Sequence, residues 1–98
     1  MGERPKRPAS AGKAKRAKVI GEWLRQKREA AELTQLCVAK FAGYEVPQFV
    51  SNMERGITLP PIEFLKLIIK LYKISAAEII EVMGTTYREY LFEELAAC

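Results

Sequence analysis

The sequence predicts an all-α fold, a compact arrangement of five short helices followed by an extra helix at the C-terminus. Three observations carry this reading. Apolar residues recur at helical intervals beyond residue 18, and no stretch alternates apolar and polar positions as a strand would. The periodic segments are punctuated by residues that start or stop helices: Thr34, Gly43, Pro47, Gly56, Pro61, Ser75 and Gly84. With 98 residues, 49% of them hydrophobic, the chain is sized for one domain with a modest core.

Residues 1–12 hold Pro5, Pro8 and Gly12 with almost no apolar side chain, which reads as a flexible basic arm. Helix 1 is expected from about Lys15 or Lys18 to Ala31, with Ile20 and Leu24 on its apolar side, so the arm is bounded at 1–17. Leu33-Thr34 interrupts, and Thr34 suits an N-cap for a second helix, Gln35 to Ala42, that must stop at Gly43. A third helix begins at or near Pro47 and ends at Arg55-Gly56, where glycine can take the left-handed cap. Pro61 opens a fourth, whose Leu65, Ile68, Ile69 and Tyr72 give a broad apolar face. Ser75-Ala-Ala-Glu78 is a capping box for a fifth helix through Ile79, Ile80 and Met83, ended by Gly84. Residues 87–96 form the extra helix, with Tyr87, Tyr90, Leu91 and Leu95 on one side.

Composition narrows the chemistry. The chain has no histidine and no aspartate, which removes imidazole catalysis, histidine-containing metal sites and Ser-His-Asp arrangements together. An enzyme is not expected, and neither is a cofactor or a metal. Cys37 and Cys98 do not make a disulfide framework or a zinc pattern. The longest apolar candidate, Phe64 to Leu71, is broken by Lys66 and Lys70, so no membrane span is expected. The N-terminus lacks the apolar stretch of a secretory signal, which points to the cytoplasm.

The formal net charge of +4 is unevenly placed. Residues 1–18 carry Arg4, Lys6, Arg7, Lys13, Lys15, Arg16 and Lys18 against Glu3, whereas the remainder is slightly acidic. Two readings of this segment stand: a solubilising tail, or an arm that tracks phosphates or enters a minor groove.

Residues 35–56 hold the densest signal. Two short helices joined through a glycine turn are what a helix-turn-helix requires. Ala39 is small enough to let the next helix cross closely, and Gly43 suits the reversal. Along the third helix Val46, Val50 and Met53 are spaced to turn inward, while Gln48, Ser51, Asn52 and Arg55 share the opposite face. Glutamine and asparagine can pair with adenine N6 and N7, serine can bond base edges or phosphate, and Arg55 is placed for the phosphate backbone. Phe49 has two readings, packing against thymine methyls or plugging the turn.

Thr34-Gln35, Ala39, Gly43 and the run Pro47-Gln-Phe-Val-Ser-Asn-Met-Glu-Arg-Gly56 resemble the phage repressor/Cro-type (XRE) helix-turn-helix family. The resemblance covers roughly residues 18–83. It implies a lambda-repressor-like domain that binds double-stranded DNA and regulates transcription, as a repressor would, in the nucleoid. It also implies that Gln35 bonds a phosphate and braces the third helix, and that Gln48, Phe49, Ser51 and Asn52 face bases and phosphates. Arg28 and Glu54 match a structural salt bridge. One departure is a turn lengthened by one residue, Tyr44-Glu45-Val46-Pro47. The expected assembly is a homodimer, with residues 84–98 as a dimer or partner surface or simply packed on helix 1. Two alternatives share the motif: an antitoxin-like or restriction-controller regulator with a protein partner, and a module used only for protein–protein interaction.

Overall fold

The computed structural model describes the backbone of residues 9–96 and the side chains of residues 15–86, 88 and 95. Arg4, Lys6, Arg7 and Cys98, and the side chains of Lys13, Tyr87, Tyr90 and Leu91, lie outside the described residues. Five helices follow in order: α1 (Ala9–Ala30), α2 (Gln35–Phe41), α3 (Gln48–Glu54), α4 (Ile62–Leu71) and α5 (Ala76–Ala96). Among the described residues there is no strand, and no helix is long and apolar enough to cross a membrane.

α1 starts at Ala9, not at Lys15 or Lys18. Its first turns are rich in alanine, lysine and arginine, strong helix formers that outweigh Gly12. Ala17, 4% exposed, carries the apolar stripe of Ile20 and Leu24 one turn further back. Much of the segment expected as a flexible arm is therefore helix. At the other end the chain reverses through Glu32, whose φ of 59° is left-handed. The Glu32 N–H donates to Glu29 O at 2.9 Å and the Leu33 N–H to Arg28 O at 3.3 Å, closing the helix end. A β-carbon in this conformation costs about 1–2 kcal/mol, partly offset in glycine by its larger unfolded-state entropy. Glu32→Gly should therefore stabilise the fold by about 0.5–1 kcal/mol in urea denaturation; a lower midpoint would refute the strain.

The core draws on every helix. Ile20 and Leu24, Val38 and Ala39, Val50 and Met53, Phe64, Leu65 and Ile68, and Ile79 form one cluster, closed by Tyr72 and Ile74. α1 packs against both α3 and α5, and α2 against α3. The closest approach is at Gly21, where a β-carbon would lie 2.5 Å from Met53 O and 2.6 Å from Glu54 O. Only a glycine lets α1 lie against the end of α3 at this distance.

The N-terminus of α5 is fixed by Ser75, whose hydroxyl accepts the Glu78 N–H at 3.1 Å. The Glu78 carboxylate, expected to complete the box, instead pairs with Lys27 of α1. Gly84 does not end the helix. Its φ is not left-handed, and α5 continues to Ala96, so the expected extra helix is the second half of α5. An isolated glycine in a helix costs only about 1 kcal/mol, which the turns on both sides outweigh. The hydroxyl of buried Thr86 donates back to Val82 O and Met83 O just beyond it.

Candidate nucleic-acid interface

α2 is pinned at both ends. Thr34 Oγ1 accepts the Cys37 N–H at 3.1 Å, supplying the N-cap. After Ala42 the chain enters Gly43 at φ 92°. There the Gly43 N–H donates to Lys40 O at 3.0 Å and the Tyr44 N–H to Ala39 O at 2.9 Å. This pair of bonds is a Schellman closure, which needs the left-handed residue that glycine provides. Pro47 stands at the N-cap of α3, with its carbonyl accepting the Ser51 N–H at 2.9 Å.

The lengthened turn is organised by aromatic stacking. The Tyr44 ring lies parallel to Phe49 with centroids 4.4 Å apart, and Phe49 meets Phe64 edge-on at 5.8 Å. Half-buried Phe49 thus anchors the turn to α4, the second of its two sequence readings. Val46, expected to turn inward, is 57% exposed. It precedes the helix, so helical spacing does not govern where it points.

Along α3 itself, Val50 and Met53 are buried. Gln48 and Arg55 are exposed, while Ser51 and Asn52 are half-buried. The Gln48 side-chain amide donates to Asn52 Oδ1 at 2.8 Å, one helical turn on. α3 closes at Gly56, φ 77°, with the Gly56 N–H on Met53 O at 3.2 Å and the Ile57 N–H on Asn52 O at 2.9 Å. A β-carbon on Gly56 would also meet the Lys18 backbone at 2.8 Å, so α1 abuts this cap.

Glu54 does not join the outer face. Its side chain is 3% exposed and receives Arg28 Nε at 2.7 Å and a second guanidinium N–H at 3.1 Å. Gln35 Nε2 donates to the same carboxylate at 2.8 Å, and Arg28 also donates to Leu33 O at 2.7 Å. One carboxylate therefore ties α3 to α1 and to the first residue of α2. Hydrogen bonding to Glu54 raises the Arg28 pKa above its ordinary value, so the guanidinium stays charged. Tyr72 is buried nearby. Loss of solvent, and then the Glu54 charge, push its phenol above the usual range, and its hydroxyl has no hydrogen-bond partner among the described residues.

The result is a short helix whose outer face carries amides, a hydroxyl and a guanidinium, with its one carboxylate neutralised inside. Such a surface suits an anionic, hydrogen-bonding ligand. Lys15 is exposed and Arg16 half-buried on α1, at the described end of the basic segment. The approach of Gly21 to α3, the Lys18–Gly56 contact and the Gln48–Asn52 bond were not legible in the sequence. The i, i+4 spacing of the two amides was the only hint of the last. The family model described as helix-turn-helix matches residues 24–79, more than half of the chain. No curated protein and no solved structure matches it.

Proposed function

Because the chain belongs to the phage repressor/Cro-type helix-turn-helix family of DNA-binding regulators, we propose that it is a sequence-specific, repressor-like regulator that reads the major groove with α3. The observation that carries this reading is the inward burial of Glu54, which leaves Gln48, Ser51, Asn52 and Arg55 as an outer face free of negative charge. Gln48 and Asn52 specify bases, and Ser51 bonds a base edge or a phosphate. Arg55 and Gln35 position the domain on the backbone. Gln35 has a second amide N–H for a phosphate while the first braces Glu54. Phe49, stacked between Tyr44 and Phe64, sets the angle at which α3 leaves the turn.

The basic residues Arg4, Lys6, Arg7, Lys13, Lys15 and Arg16 add sequence-independent phosphate contacts and a salt-dependent share of affinity. The protein acts as a homodimer that sets two α3 helices in successive major grooves, about 34 Å apart, on a pseudo-palindromic site. Ile80 and Leu95, 70% and 69% exposed on α5, support a surface for the second copy or for a protein partner.

Selection of bound sequences from a random duplex library at physiological salt tests the reading. Gln48→Ala should cost about 1–3 kcal/mol on the preferred site and relax one base pair. Arg55→Ala should weaken all sequences alike and lower the salt slope by about 1. If Gln48→Ala weakened every sequence equally, base reading by α3 would be refuted.

A further inference from the structure

The two amides of α3 are bonded to each other, and this decides what each can read. Gln48 Nε2 donates to Asn52 Oδ1 at 2.8 Å across one helical turn. Resting on the proposal that α3 reads bases, we infer that Gln48 and Asn52 act as one coupled unit. In it Gln48 is the adenine reader, while Asn52 orients it and offers its NH2 group to a neighbouring base.

The donor and acceptor inventory leads there. A primary amide has two N–H donors and one carbonyl oxygen. Gln48 commits one N–H to Asn52 and keeps Oε1 with the other N–H, the edge complementary to adenine N6 and N7. Asn52 has one lone pair of its oxygen engaged and presents its NH2 group, which matches acceptors such as guanine O6 or N7 and thymine O4. Exposure fits this division. Gln48 is exposed, with a long side chain that must lose rotamer freedom to bind, and Asn52 is half-buried. Asn52 is itself held by its main-chain carbonyl, which accepts the Ile57 N–H in the helix cap at 2.9 Å. The hydrogen bond therefore orders the exposed amide before DNA arrives. Asn52 is a positioning residue for its neighbour as well as a contact of its own.

Library selection with wild type, Gln48→Ala, Asn52→Ala and Asn52→Asp separates the roles. The base pair whose preference disappears in Gln48→Ala identifies the one read by Gln48, and adenine is expected there. Asn52→Ala should reduce discrimination at that same pair roughly tenfold although Gln48 is intact. Asn52→Asp keeps an oxygen for the Gln48 N–H, so adenine preference should return. At the adjoining position its carboxylate should favour a donor-bearing base, cytosine or adenine. Its added charge lowers overall affinity, so preferences and not affinities are compared, with circular dichroism checking that each variant keeps its helices. An adenine preference at the Gln48 pair unchanged by Asn52→Ala overturns the coupling while leaving base reading intact. Flat enrichment by the wild type overturns base reading itself, and the coupling with it.

Discussion

Glu54→Ala is expected to lower the stability of the fold by about 3–5 kcal/mol, a large part of what a small domain holds in total. The size follows from what is left behind. Arg28 is held in a largely buried position, 11% exposed, by two bonds to this carboxylate. Removing the acceptor strands a guanidinium whose desolvation is no longer compensated. Gln35 loses its acceptor in the same step. The paired replacement Arg28→Met with Glu54→Leu should recover most of the loss, because no unpaired charge then remains. Urea denaturation followed by helical circular dichroism reads both. A cost below about 1 kcal/mol for Glu54→Ala would place the pair among surface ion pairs, against its observed burial. The paired variant should still bind DNA poorly even when stable, since the link from α2 to α3 through Gln35 is gone.

Gly21→Ala and Gly84→Ala should shift stability in opposite directions, although both glycines lie inside helices. At Gly21 the new methyl group would stand 2.5 Å from Met53 O and 2.6 Å from Glu54 O, which are backbone atoms and cannot swing aside. α1 and α3 must separate, at a cost of about 1–3 kcal/mol that exceeds the gain in helix propensity. Gly21→Val should cost more and disturb the position of α3. At Gly84 a β-carbon meets nothing within 4 Å among the described residues, so propensity decides the sign. The gain there should be about 1 kcal/mol. Equal shifts for the two alanine variants would show that the close crossing of α1 on α3 does not govern the fold.

The places where local expectation and structure part company share a cause. Gly43 and Gly56 end their helices because each takes a left-handed φ with two closing hydrogen bonds. Gly84 carries the same letter, but no left-handed turn follows, and α5 runs through it. Gly12 and the charge run favour an arm locally, but the alanine content and the burial of Ala17 extend α1 back to Ala9. Val46 lies in the turn before α3, where the helical periodicity that would point it inward does not extend.

What the sequence determined by itself was the helix-turn-helix: its two short helices, the cap at Thr34, the turns at Gly43 and Gly56, and the amide-rich face of α3. These depend on hydrogen bonds and spacings within a few residues, so a linear reading reaches them. The Arg28–Glu54 pair was implied by the family resemblance and is present; the tertiary structure alone decided that Gln35 shares that carboxylate, why Gly21 has no side chain, and how Phe49 is held between Tyr44 and Phe64. Each of those joins groups on different elements. Their distances exist only after the helices have packed, because burial and close approach are properties of the assembled core.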